Sequence, residues 1–186
     1  MTGCYTSSME FEYDEIITHP LERAFPVLRD QLPDLVPFLP SVKSVEVLKR
    51  TEEGPGKLYL LNDWRGDVSA APAVARHFVS QSMASWKDHA RWDNEKKIVR
   101  WRFEANNLDS LFDCYGENRF FAVNDQSMRI NIKGNLEIYP ERVPGVPRLL
   151  VRKLKPAITR WIIDLIAPNL SQMPGAVQAF LDQQSQ

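Results

Sequence analysis

The sequence predicts an α+β fold: a curved antiparallel sheet of about seven strands wrapped around a long C-terminal helix, with two short helices after the first strand. Three observations carry this. Between residues 9 and 139, apolar and polar residues alternate in successive stretches parted by short polar turns, the period of two expected of strands with one wet face. Between the first and second of these stretches lies a proline-punctuated apolar segment too irregular for a strand. Finally, VPRLLVRKLKPAITRWIIDLIA at 146–167 repeats Leu150, Leu154, Ile158, Trp161 and Leu165 every three or four residues, with Leu149, Ile162 and Ile166 widening the stripe. A helix with so broad an apolar face must lie against something, and the concave side of a sheet is the natural partner.

In chain order, MEFEYDEII at 9–17 sets Met9, Phe11 and Tyr13 against Glu10, Glu12 and Asp14, a first strand that ends at His19-Pro20. Leu21, Phe25 and Leu28 recur at helical spacing despite Pro26. LPDLVPFL at 32–39 reads as a second short helix or a wrapped turn. A strand over 42–48 then meets TEEGPG at 51–56, a hairpin turn, and returns over 57–67 with Leu58, Leu60, Asn62 and Trp64 on the inner face. The alternation stops over 68–80, which is either an extended crossing or an irregular helix. Strands resume at 83–92 with Trp86, Asp88, Ala90 and Trp92 inward, and at 98–105 with Val99, Trp101, Phe103 and Ala105 inward. Two more follow, 112–123 and 128–139, the latter with Met128, Ile130, Ile132, Leu136 and Ile138 on one side. Pro147 suits the first turn of the long helix, Pro156 should kink or split it, and a last helix or turn covers 170–181.

With 186 residues the chain is sized for one domain, taken as 9–183 behind a flexible tip at 1–8. A 44% hydrophobic and 25% charged composition with a net charge of -1 gives no bulk reason to expect nucleic acid as a partner. Cys4 and Cys114 lack metal-ligand spacing, and His19, His77 and His89 are scattered, so neither a metal nor another cofactor is expected. MTGCYTSS lacks the basic start and apolar core of a secretory signal, and no apolar run reaches the roughly 20 residues that span a bilayer. A cytoplasmic protein is the expectation, with oligomeric state open.

The order strand, two short helices, run of antiparallel strands and long helix, together with HPLERAFPVLRD, LPDLVPFLPSVKSVEVLKR and SWKDHARWDNEKKIVRWRFE, resembles the START-like superfamily, also called SRPBCC or polyketide cyclase-like. The resemblance spans about Met9 to about Leu181. It implies the helix-grip fold and a deep apolar pocket between sheet and C-terminal helix, binding a lipid, isoprenoid, polyketide or other hydrophobic small molecule. It carries over no catalytic residue.

Tryptophan is the unusual component: Trp64, Trp86, Trp92 and Trp101 fall on inward strand positions and Trp161 on the covering stripe, where they fill a core or line a cavity. Asp88 sits among them. An inward carboxylate must find a partner or hold its proton, which makes it the candidate for pocket chemistry, against a structural acid or a register one residue off. Phe103, Asn62 and Tyr13 complete the candidate ligand-binding set. Glu117 and Arg119 either pair across strands or line the pocket. No GxSxG, P-loop or GxGxxG occurs. Three functions stay open: a carrier that sequesters a hydrophobic molecule beneath the C-terminal helix and the 68–80 segment; a polyketide cyclase or aromatase-like enzyme in which Asp88, with Tyr13 or Asn62, assists proton transfer; and a peripheral membrane contact through Arg152, Lys153 and Lys155.

Overall fold

In the computed structural model, the two edges of one seven-stranded sheet are formed by the first two strands of the chain, in the order β1-β7-β6-β5-β4-β3-β2. The structure describes residues 7–67, 69, 84–106, 112–139, 142 and 170–185, together with 150, 153, 155–157, 159, 160 and 163. The strands are β1 (Ser7–Ile17), β2 (Val42–Gly54), β3 (Lys57–Gly66), β4 (Ser85–Asp93), β5 (Ile98–Ala105), β6 (Phe112–Asn124) and β7 (Ser127–Ile138). Every neighbouring pair is antiparallel. The α+β architecture and the strand count are those expected. β1 begins at Ser7, because Ser7 and Ser8 pair with Ile138 and Glu137, so the strand starts inside the segment read as a tip.

The only route from β1 to β2 crosses the whole sheet, and two short helices make the crossing. The first, α1 (Leu21–Asp30), buries Ala24, Phe25, Val27 and Leu28. Pro26 removes one backbone donor, but burial of that face holds the helix together. The second is a 3-10 helix, Leu32–Phe38, which buries Leu32 and Leu35. At the far end, α2 (Met173–Gln184) buries Pro174, Ala176, Val177 and Leu181. A polar clasp ties α2 to the end of β1. Gln178 Oε1 accepts from the Thr18 backbone N–H at 2.6 Å and its hydroxyl at 2.8 Å, while His19 Nε2 meets Asp182 Oδ1 at 2.8 Å.

Two expected boundaries move. β2 continues to Gly54, so TEEG belongs to the strand and only Pro55 and Gly56 turn. Sequence alternation fails there because β2 is an edge strand whose outer half is solvated on both faces, with three register shifts against β3. The last helix runs to Gln184 rather than 181. Of the long helix expected over 146–167, the described positions 150, 153, 155–157, 159, 160 and 163 are helical. Lys155, Pro156 and Ala157 are helical in succession, with Pro156 exposed, and Ile163 packs on the core. Most of 68–80, Arg152 and Trp161 lie outside the described residues.

Candidate functional site

The interior of the sheet is ordered in rows, because paired strands bring inward side chains into line. One row runs Asn62, Asp88, Phe103, Cys114, Leu136 and Met9, and the next Leu60, Ala90, Trp101, Gly116, Gly134 and Phe11. Gly116 and Gly134 are opposite one another, and the Trp101 ring lies across them. A Cβ on Gly116 would stand 2.5 Å from Trp101 Cζ2 and collide with the Lys133 carbonyl; one on Gly134 would stand 2.5 Å from Phe11 Cζ and 2.9 Å from Trp101 Cη2. The two glycines therefore let an indole bridge from β5 toward β7.

Along β4 the inward residues run Trp86, Asp88, Ala90, Trp92, large at the ends and small in the middle. Two aromatic groups build up around the large ends. Trp64 stacks on Trp86 at 5.9 Å, Trp86 touches Phe103, and Phe103 stacks on Trp101 at 4.8 Å. At the other end Trp92 stacks on Phe120 at 5.8 Å, and Phe25 of α1 meets both edge-on. The short side chains between leave a cavity of about 70 Å³. Its walls are Trp64, Trp86, Asp88, Ala90, Trp92, Val99, Trp101, Phe103, Asn118, Phe120 and Ile132 of the sheet, closed by Leu28, Leu32, Leu170 and Met173.

Asp88 is the only ionisable side chain among the described residues that line this cavity. It is 6% exposed, and burial pushes its carboxyl up to about 7, with the Asn62 amide and the Trp64 indole partly offsetting the shift. Asn62 Nδ2 donates to Asp88 Oδ2 at 3.1 Å. Trp64 is close enough to lower the carboxyl's value, but its N–H makes no hydrogen bond. Left without a hydrogen-bond partner are Asp88 Oδ1, Asn62 Oδ1 and the indole N–H groups of Trp64, Trp86 and Trp92. Trp101 differs, since its N–H donates to Asn118 Oδ1 at 2.8 Å.

The structure gathers most of the expected site. Trp64, Trp86, Asp88, Trp92, Trp101 and Phe103 line one cavity, with Asn62 behind Asp88. Tyr13 is on the inner face, stacked on Phe11 at 5.6 Å, but is not part of the cavity wall. The register places Asp88 inside and His89 outside, where His89 bridges the Tyr59 hydroxyl at 2.8 Å and Glu104 at 2.9 Å. Glu117 and Arg119 are on the outer face as an ion pair of 2.6 Å, joined by Arg100. Cys114 is fully buried and free, its thiol pushed up by burial and by the nearby Asp113 and Asp88 charges. Of the basic helix, Lys153 is exposed and Lys155 partly buried.

Sequence reasoning missed Asn118 and Phe120, whose strand showed no decisive face, and the helical residues Leu28, Leu32, Leu170 and Met173. The hollow is also far smaller than the roughly 300–1,000 Å³ typical of pockets for drug-sized ligands. Among the described residues no cluster of His, Cys, Asp and Glu fits a metal ion, and no helix is long and apolar enough to cross a membrane.

No family model matches the chain, and no curated protein matches it in sequence. Solved structures do match its fold. The Zhui aromatase/cyclase from Streptomyces superimposes with a TM-score of 0.61 at 15% identity, over 92% of this chain and 94% of that one. A protein from Thermus thermophilus gives 0.59 at 18% identity, over 92% and 98%. Norcoclaurine synthase from Thalictrum flavum gives 0.50 at 16% identity, over 97% and 95%.

Proposed function

The chain has the START-like (SRPBCC) helix-grip fold, and from that premise we propose that it binds a hydrophobic small molecule between the concave sheet face and the helices that cover it, as a carrier or sequestering protein. The observation that carries this reading is the cavity over Ala90, walled by four tryptophans and two phenylalanines. A hydrophobic guest gains about 25 cal/mol for each Å² of apolar surface it removes from water, and the aromatic walls supply that surface.

The volume sets a condition on this function. A dry protein cavity of about 150 Å³ holds benzene, and here the space is about 70 Å³. Any guest of benzene size or larger therefore enters only if the cover and the sheet separate. Leu170 and Met173, Leu28 of α1 and Leu32 of the 3-10 helix are the described side chains that must give way.

A second reading, a polyketide cyclase or aromatase-like enzyme, is favoured by one observation: an acid with its carboxyl near neutrality faces the cavity. Such a group can hold or release a proton at ordinary pH. The two readings part on Asp88→Asn, which leaves a carrier able to bind and removes turnover from an enzyme.

Binding itself is tested by titrating the protein with a fluorescent hydrophobic probe and by mass spectrometry of an organic extract of the purified protein. Ala90→Leu fills the hollow. If that variant melts cooperatively yet binds the probe as tightly as the wild type, the guest is held elsewhere and the reading fails.

A further inference from the structure

Outside the cavity, three titratable side chains on the outer face of the sheet are joined as a relay. Tyr59 of β3, His89 of β4 and Glu104 of β5 are linked by two diagonal steps, because Tyr59 is opposite Arg91 and Glu104 is opposite Lys87. The Tyr59 hydroxyl meets His89 Nδ1 at 2.8 Å, and His89 Nε2 meets Glu104 Oε2 at 2.9 Å.

The carboxylate assigns the histidine tautomer. An exposed carboxylate is ionised at neutral pH and only accepts, so Glu104 obliges Nε2 to carry the ring proton. Neutral His89 is then an acceptor at Nδ1, and the Tyr59 hydroxyl donates to it. Acid, imidazole and hydroxyl stand in the order that turns a hydroxyl into a nucleophile. The Arg91 guanidinium lies over the Tyr59 ring at 5.0 Å, where it favours charge developing on the phenol as the proton leaves. Arg102, opposite His89, is neutralised by Asp113 at 3.2 Å. Two other tyrosines serve as internal references. Tyr139 donates to Glu137 Oε2 at 2.6 Å, a carboxylate that pushes its phenol above the ordinary value, and Tyr115 is 46% exposed.

We propose that Tyr59 is a covalent modification site that takes an acyl group from an activated ester or thioester, with His89 as its general base and Glu104 positioning His89. Tyr59 Oη bonds to the carbonyl carbon as its proton passes to His89 Nδ1. The ester C–O or thioester C–S bond then breaks, and its electron pair leaves with the alcohol or thiol, which takes that proton. The relay is on the opposite face from the cavity, so this inference is independent of the binding function proposed above.

The intact protein is treated with p-nitrophenyl acetate at pH 8, where an ordinary imidazole is neutral. Release of p-nitrophenolate is followed, and samples quenched in acid are mapped by peptide mass spectrometry. Tyr59 should be acetylated on the order of a hundredfold faster than Tyr115, although Tyr115 is the more exposed. Tyr59→Phe should remove the fastest phase of p-nitrophenolate release, whether or not the acetyl group is later hydrolysed. His89→Gln should bring Tyr59 down to the rate of Tyr115, and Glu104→Gln should slow it about tenfold by freeing the tautomer. A ring-nitrogen spectrum of His89 should show the proton on Nε2 in the wild type and on both nitrogens in Glu104→Gln. Tyr115 reacting as fast as Tyr59, or a folded His89→Gln variant acetylated at Tyr59 at an unchanged rate, overturns the proposal. So does a wild-type His89 protonated at Nδ1, since the Tyr59 hydroxyl would then be the acceptor.

Discussion

Asn62 and Asp88 face each other across β3 and β4, and Asn62 Nδ2 reaches Asp88 Oδ2 at 3.1 Å inside an otherwise aromatic wall. A donor amide is the partner an ionised carboxylate prefers, yet one amide does not replace the hydration that burial removes. The carboxyl consequently keeps its proton to about pH 7. Among the described lining residues Asp88 alone sets the charge of the cavity, with Asn62 behind it.

The pair makes stability depend on pH in a recognisable direction. The ordinary value for the carboxyl is 3.8 and the folded value is about 7, so between them the folded state holds a proton that the unfolded state has released. Stability from this group is fully present below about pH 4 and is lost as pH rises to about 7. Asp88→Asn lacks this titration. Its unfolding free energy, relative to wild type, should improve across that window by an amount on the order of 4 kcal/mol. Asp30, Asp67, Asp93 and Asp182 have lowered values, so their contributions are lost in acid below the window. A difference between wild type and variant that stays constant from pH 4 to 8 contradicts the assignment.

The glycine pair under Trp101 should resist enlargement. Gly134→Ala drives a methyl into the Phe11 and Trp101 rings, an overpacking of about 1–3 kcal/mol. Gly116→Ala should cost more, because the Lys133 carbonyl is backbone and cannot swing aside. Chemical denaturation measures both. An Ala at either site without loss would mean that Trp101 is not held flat across the strands.

Cys114 should be chemically silent in the native state. It is fully buried, and its thiol is pushed well above the ordinary range, so almost no thiolate is present at neutral pH. In a Cys4→Ser background, a thiol-reactive dye should label the protein only when denaturant is added. Fast labelling of the native protein would show that the inner face opens to water.

The outer face of the sheet should be spectator to binding. Glu117 pairs with Arg100 at 2.8 Å and Arg119 at 2.6 Å, and both arginine side chains are more than half exposed. Exposed pairs of this type contribute about 0–1 kcal/mol. Glu117→Gln and Arg119→Ala should therefore leave probe affinity unchanged and stability nearly so. A tenfold loss of affinity would move the site to the convex face.

The inward positions of β3, β4 and β5 were legible because one face of each strand is buried and a slip of one residue would invert every side chain. Asp88 was assigned inward on that basis with a register one residue off as the alternative, and its pairing with Asn62 and its burial place it inside. β6 was harder to read: Cys114, Gly116, Asn118 and Phe120 face inward, yet the outward set contains Tyr115 and Phe121, so hydrophobicity did not distinguish the faces. Leu28, Leu32, Leu170 and Met173 were not legible as cavity residues, since which part of a helix overlies a sheet depends on the crossing and not on its period. The size of the hollow was not legible either. It follows from how far each indole ring reaches, and a single methylene changes it.

The most direct test is a nitrogen–proton spectrum of the indole groups during titration with a neutral aromatic ketone, assigned by single Trp→Phe substitutions. The resonances of Trp64, Trp86, Trp92 and Trp101, whose rings all wall the cavity, should shift with a common saturation curve as the ring of the guest settles against them. Saturable binding that leaves all four resonances in place would contradict the cavity as the binding site.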